Sequence, residues 1–176
     1  LVGTEGSRRA RGDSLTNNHA YFDPAIGGTE SVNLGYVAGT EGSHVWNNWF
    51  TSSPSGTAFD LVNDTGATIL ENRFYGRIGG FVPAEFPLNS YSSSVPSSGE
   101  TSIVRKNKYE TGRAHIVVYN WGRASSVRVD VASVLNPGEH FLLYNAQSFY
   151  GDQPEVGVNI DGTIDIPMSP TRWTIA

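Results

Sequence analysis

Aromatic residues at repeated positions are the first group in the sequence that could recognise a ligand. Trp46, Trp49 and Tyr75 fall in two stretches of similar sequence, residues 46–50 and 72–75. An aromatic ring that is exposed to solvent offers an apolar face on which a sugar ring can stack. Rings at repeated positions can equally pack in a core, and the sequence leaves both readings open.

Two arginines stand on either side of Tyr75. Arg73 and Arg77 could each bind the carboxylate of an acidic sugar, because a guanidinium forms paired hydrogen bonds with a carboxylate. The alternative is that they form salt bridges on the outer wall of the protein. The candidate carbohydrate-binding residues are therefore Trp46, Trp49, Arg73, Tyr75 and Arg77.

Carboxylates are the residues that polysaccharide hydrolysis or calcium-assisted lyase chemistry would require. Asp60 and Asp64 flank the end of an expected strand, and Glu41 and Glu71 could stand on neighbouring coils. The sequence does not specify the separation between any two of them, and Asp and Glu side chains usually face solvent. No catalytic residue is predicted.

The histidines do not have the spacing of metal ligands. His19, His44, His115 and His140 are spread along the chain, and the sequence contains neither a Gly-x-Ser-x-Gly elbow nor a phosphate-binding glycine motif. The sequence therefore predicts no metal site and no cofactor.

Composition and charge restrict the class of protein. The 176 residues include 12 Lys and Arg, 17 Asp and Glu, 20 Gly and no Cys, with a formal net charge of −5. An acidic chain whose basic residues are scattered is a poor ligand for nucleic acid, and no stretch is apolar enough to span a membrane. Low charge with many Gly, Ser, Thr and Asn residues favours an all-β fold.

Internal repeats indicate a solenoid in the first half of the chain. The sequence Gly-Thr-Glu-Gly-Ser occurs at residues 3–7 and again at 39–43. An Asn precedes an aromatic residue by two positions at Asn48 and at Asn72, and Asn18 begins a looser third copy, so that the spacings are 30 and 24 residues. Repeats of this length are typical of stacked coils, and we expect the Asn side chains to stack and to bond open backbone groups at each bend.

The composition changes in the second half of the chain. We predict β-helix coils over residues 1–80, a Gly-, Pro- and Ser-rich linker over 81–100 and an antiparallel β-sandwich over 101–176. Residues 114–121 and 126–131 alternate apolar and polar positions around a turn, which predicts a hairpin. Asp161-Gly162 predicts a further turn between strands at 156–160 and 164–166.

The chain resembles secreted bacterial proteins of the right-handed parallel β-helix repeat family, some of which act on polysaccharides. Residues that carry this resemblance lie in the segments 46–50, 109–121, 129–135, 137–139 and 145–151 and in the repeated Thr-Glu-Gly-Ser. The last part of the chain also resembles, more weakly, the β-sandwiches that close many glycoside hydrolases. These resemblances imply the architecture and an extracellular setting, and they supply no catalytic motif.

Three functions remain open at this stage. The first is a non-catalytic C-terminal portion of a secreted, polysaccharide-associated β-helix protein, which caps the solenoid and contacts glycan. The second is a lyase or hydrolase with a cleft along the coils, and the third is a structural or adhesive surface protein that self-assembles. Because the first residues read like the interior of a domain, we expect a preceding N-terminal part of the same protein to be missing.

Overall fold

The computed structural model describes residues 8–23, 25, 28, 30–53 and 55–168. The fold is all-β, with 46% strand and 4% helix, and it contains both parallel and antiparallel sheets. The chain divides into two compact units, Leu1–Val95 and Pro96–Ala176. In the parts of the chain that the structure describes, no helix is long and apolar enough to cross a membrane.

The first unit is built from short strands that pair in parallel. In chain order they are β1 (Ala10–Arg11), β2 (Ser14–Thr16), β3 (His19–Phe22), β4 (Glu30–Leu34), β5 (Thr40–Glu41), β6 (His44–Trp46), β7 (Trp49–Ser52), β8 (Thr57–Leu61), β9 (Thr68–Leu70), β10 (Arg73–Tyr75), β11 (Arg77–Gly79) and β12 (Ser90–Ser92). A 3-10 helix, Pro83–Glu85, precedes β12 within the segment predicted as a linker.

Three parallel sheets follow one another along the chain and are then revisited in the same order. The first sheet is β2-β6-β9, the second is β3-β7-β10-β12 and the third is β4-β8-β11, while β1 pairs with β5. Each passage of the chain through these sheets is called a coil below. The repeated visiting of the same sheets is the property that the 30- and 24-residue spacings predicted.

The register corrects two details of the predicted repeat. In the looser copy that begins at Asn18, Ala20 is the residue that pairs with Phe50, so the first coil carries no large ring at this position. Thr40 pairs with Ala10, which makes the structural repeat 30 residues long between these coils instead of 36. The earlier Gly-Thr-Glu-Gly-Ser copy, at residues 3–7, lies outside the described residues.

Asparagine side chains connect successive coils at the bend between the first and second sheets. The backbone N–H of Asn18 donates to Oδ1 of Asn48, and that of Asn48 donates to Oδ1 of Asn72, at 2.8 and 2.9 Å. Nδ2 of Asn72 in turn donates to the carbonyl of Val45 on the preceding coil. Asn89 continues the series by accepting from the backbone of Asn72. The expected Asn ladder is thus confirmed, and it satisfies backbone groups that the bend removes from the sheets.

Aromatic rings fill the interior between the sheets. Phe50 stacks on Phe59 with ring centroids 5.2 Å apart, and Phe74 stacks on Tyr91 at 5.3 Å. Residues 81–91 add Phe81 and Phe86 to the same core. Because these side chains occupy alternate strand positions, the residues between them lie on the outer side of the sheets.

The second unit contains three antiparallel pairs. Its strands are β13 (Thr101–Lys106), β14 (Ala114–Tyr119), β15 (Ser126–Asp130), β16 (His140–Leu143), β17 (Glu155–Val158) and β18 (Thr163–Pro167), with β13 paired to β14, β15 to β18 and β16 to β17. All three pairs contribute apolar side chains to one core that centres on Val127, Val129 and Ile164.

The hairpin predicted for residues 114–121 and 126–131 is wrong. The turn is present, and the Asn120 side chain closes it by bonding both the backbone N–H and the carbonyl of Ala124. The strands on either side of it pair elsewhere, since β15 aligns Val127 with Ile166 and Arg128 with Asp165 of β18. The turn at Asp161-Gly162 likewise lies between β17 and β18, which are not partners.

Candidate functional site

The five predicted site residues are distributed over three sheets. Trp46 lies on β6 of the first sheet, Trp49 on β7 and both Arg73 and Tyr75 on β10 of the second, and Arg77 on β11 of the third. The structure brings Trp49, Arg73 and Tyr75 together. Trp46 belongs to a different surface, which is described first.

Trp46 lies on the outer face of the first sheet. Val45 and Ile69 on this sheet point into the core, so their neighbours point outward. We call the outward side chains that line this shallow surface the Trp46 strip: Ser14, Thr16, His44, Trp46, Thr68 and Leu70. Parallel pairing sets them in two rows that run across the coils, Ser14 with His44 and Thr68, and Thr16 with Trp46 and Leu70.

A hydrogen bond to the next coil orients the indole of Trp46. Its Nε1–H donates to Oε2 of Glu71 at 2.5 Å, and half of the Trp46 residue surface (50%) stays exposed. Glu71 has a φ of 58°, a conformation that Asn17 and Asn47 adopt at the equivalent bends with φ of 61° and 53°. Glutamate is an unusual residue in this conformation, which costs about 1–3 kcal/mol for residues other than glycine.

The strip has the chemical groups that a neutral sugar chain needs. One large ring offers an apolar face, while the hydroxyls of Ser14, Thr16 and Thr68 can donate and accept hydrogen bonds. None of the residues that line the strip is Lys or Arg, and the adjacent carboxylate of Glu71 adds negative charge. This arrangement suits an uncharged polyol better than a uronate.

Trp49 is packed into a cluster on the outer side of the second sheet. Only 7% of its surface is exposed. The guanidinium carbon of Arg73 lies 4.4 Å from the ring centroid of Trp49, and the rings of His19 and Tyr75 lie at 5.9 and 6.1 Å. Because neighbouring side chains surround the Trp49 ring, its position favours packing over stacking on a ligand.

Arg77 is held separately on the third sheet. Its Nη2 donates to the backbone carbonyl of Ser55 at 2.6 Å. This contact ties β11 to the loop before β8 and gives the guanidinium a structural partner.

Three of the four carboxylates considered for catalysis, Glu41, Asp64 and Glu71, bond to a side chain of the protein. Glu41 forms a salt bridge with Arg11 at 3.1 Å, and Asp64 accepts a hydrogen bond from the hydroxyl of Thr40 at 2.6 Å. Burial raises the pKa of Asp60, and the charge of Glu30 raises it further. Among the residues that the structure describes, no three His, Asp or Glu side chains form a group that could hold a metal ion.

Sequence reasoning missed most of the Trp46 strip. His44, Thr68 and the two hydroxyl residues of β2 were not singled out, and Glu71 was considered only as a catalytic carboxylate. The strict alternation around Val45 and Ile69 is the signal that could have identified the outward positions.

Comparison with known proteins returned no match: no protein-family description fits the chain, and no characterised protein or solved structure is similar to it.

Proposed function

We propose that this chain is the non-catalytic C-terminal portion of a secreted, polysaccharide-associated parallel β-helix protein and that the Trp46 strip binds neutral glycan. The repeated visiting of three parallel sheets, joined by the Asn ladder, supports β-helix coils for the first unit. Three antiparallel pairs around a common core support a sandwich for the second.

The observation that carries the functional proposal is the half-exposed ring of Trp46, which Glu71 holds in the middle coil of the Trp46 strip. The exposed indole offers an apolar face that a ligand can cover. A sugar ring fits because its apolar face covers the indole while its hydroxyls reach the Ser and Thr side chains at the edges.

Binding is favoured over catalysis by the arrangement of the carboxylates. Hydrolysis by two carboxylates requires the pair to flank one bond at a separation of about 5–10 Å. Glu71 is bonded to Trp46, whereas Glu41 and Asp64 are bonded to groups of the β1-β5 region. Each therefore has a local structural role that does not require a substrate.

Capping of the coils is the second part of the proposal. An uncovered last coil would expose the aromatic interior, which promotes aggregation. Residues of the first unit already cover part of this interior, since Phe81 packs against Phe74 and Phe86. The hydroxyl of Tyr91 donates to the carbonyl of Phe86 at 2.9 Å.

The test is a binding screen against soluble neutral and uronic-acid polysaccharides at low and high salt. We expect binding to neutral polymers that does not change with ionic strength, because no charged contact is involved. Binding confined to uronate polymers and abolished by salt would contradict the neutral assignment, and release of reducing ends or unsaturated products would contradict the non-catalytic one.

A further inference from the structure

The β16-β17 pair of the second unit carries an apolar face that is open to solvent. Leu142 and Val156 are directly opposite each other in register and are 58% and 69% exposed. Val158 on the same side of β17 is also exposed, and Ile160, just beyond the strand, is 82% exposed. The alternate residues Phe141 and Leu143 point into the core, so this ribbon is apolar on both sides.

An aromatic cluster lies on the connection between these two strands. The rings of Tyr144 and Phe149 stack with centroids 4.8 Å apart, and Tyr150 meets Phe149 edge-on at 5.2 Å. Tyr150 is 97% exposed. Contiguous exposed apolar side chains of this kind mark interaction sites on soluble proteins. Together with Leu142, Val156, Val158 and Ile160, this cluster is called the ribbon face below.

The charged residues that adjoin the ribbon face along the chain are all negative, and Arg128 of β15, which interacts with Asp161, is paired with Asp165. The sequence has no Lys or Arg between residues 129 and 171. Glu139 immediately precedes β16 and Asp161 follows Ile160, while Asp152 and Glu155 lie in and after the connection that carries the aromatic cluster. Hydrogen bonds from Asn136 lower the pKa of Glu139, and those from Thr163 lower the pKa of Asp161, which keeps both carboxylates ionised.

We infer that the ribbon face docks a protein segment that presents apolar side chains flanked by Lys or Arg. Interfaces combine an apolar centre with a charged rim, and complementary rim charges select the partner. A second copy of the same face would bring equal acidic rims together and is therefore disfavoured by repulsion. Four of the seven side chains of the ribbon face are aliphatic and offer no flat ring for stacking, which favours a protein segment over a sugar at this site.

The experiment measures binding of three labelled peptides to the full chain. The first is a short amphipathic Leu/Lys peptide, the second has the same composition in scrambled order, and the third replaces Lys by Glu. The protein variants are Leu142→Ser/Val156→Ser and, outside any strand, Ile160→Ser. Tyr109→Ser is the matched control, because Tyr109 is also highly exposed but lies away from these strands.

We expect the amphipathic Leu/Lys peptide to bind and to lose about tenfold or more in affinity with either ribbon-face variant, and to be unaffected by Tyr109→Ser. The scrambled and the Leu/Glu peptides should bind at least about tenfold more weakly. The inference would be overturned if the first peptide did not bind, or if the scrambled peptide bound equally well. Tight binding of the Leu/Glu peptide would also overturn it, as would affinities that are the same for the parent and the ribbon-face variants. A dimer that sedimentation detects and that Leu142→Ser/Val156→Ser dissolves would assign the face to a second copy instead. Thermal unfolding midpoints of the variants show that each is folded.

Discussion

The indole N–H of Trp46 donates to the carboxylate of Glu71, 25 positions further along the chain, across two adjacent coils. The bond joins an exposed ring on β6 to the bend that follows β9. Its effect is to hold the ring in one orientation on the outer face of the first sheet. A ring that is fixed before binding loses less conformational freedom when a ligand covers it.

Glu71→Asn separates the role of this carboxylate in binding from its role in the fold. Asn is well suited to a positive φ, so the substitution relieves backbone strain at Glu71 while its shorter side chain gives up the bond to Trp46. We expect glycan affinity to fall several-fold without a loss in thermal unfolding midpoint. A variant that binds like the parent would show that the Glu71 carboxylate does not contribute to the strip.

Trp49→Ala should destabilise the protein. The Trp49 ring is buried under Arg73 and between His19 and Tyr75, and removal of a buried Trp side chain costs about 3–5 kcal/mol. Urea unfolding followed by circular dichroism measures the change. An unfolding midpoint equal to that of the parent, combined with lost glycan binding, would instead make Trp49 a ligand contact.

Asn72→Ala tests the Asn ladder. The substitution leaves the backbone N–H of Asn48 without its acceptor and removes a bond to the carbonyl of Val45, and an unsatisfied buried group costs about 1–3 kcal/mol. We expect a loss of at least about 2 kcal/mol in the free energy of unfolding. Asn136→Ala, at an exposed position whose side chain donates to Glu139, is the control and should cost much less. Similar losses for both variants would contradict a special role for the ladder.

Asp60 should make the protein less stable as the pH rises above the ordinary pKa of its carboxyl group. Its folded-state pKa is raised above the ordinary 3.8, first by burial and then by Glu30, so the folded protein binds this proton more tightly than the unfolded chain does. The stabilising contribution is present below the ordinary pKa and is lost as the pH rises through the folded-state value. Asp60→Asn should therefore increase stability at neutral pH and weaken this part of the pH dependence.

The pKa of Asp165 is shifted in the opposite direction to that of Asp60, so its effect on stability has the opposite dependence on pH. The hydrogen bond and charge of Arg128 lower the pKa of Asp165, so its contribution is present above the ordinary pKa and is lost as the pH falls through the folded-state value. Asp165→Asn should reduce stability at neutral pH only slightly, because the pair is exposed. Unfolding midpoints measured across the acidic range distinguish the two variants, and the same sign of change for both would refute the assignment.

The Asn ladder was predictable from sequence because its chemistry fixes one residue type at one point of each coil. Asn48 and Asn72 recur with the spacing of the coils, since a short side-chain amide can accept from one backbone N–H and donate to a carbonyl at the same time. The all-β class followed in the same way from composition. The register at Ala20 could not be predicted, because a small residue in the core leaves no aromatic signal.

Strand partners in the second unit were not predictable from local pattern. Val127 and Val129 alternate with polar residues as a hairpin strand would, but alternation specifies only which face is buried. The partner is chosen by packing with Ile164 and Ile166, more than 30 residues away, and by the pair that Arg128 forms with Asp165. In the candidate site, Trp46 was identified by its type, whereas Glu71 depended on a contact between coils that the sequence does not display.

The most direct measurement of the central claim is the affinity of Trp46→Ala for the neutral polysaccharide that the parent binds best, determined by calorimetry beside the Tyr109→Ala control. The account predicts that Trp46→Ala weakens binding by about tenfold or more, since stacking of a single ring is worth about 1–3 kcal/mol by analogy with base stacking, and that its unfolding midpoint stays close to that of the parent. Undiminished affinity in a folded Trp46→Ala protein would contradict the Trp46 strip as the glycan site.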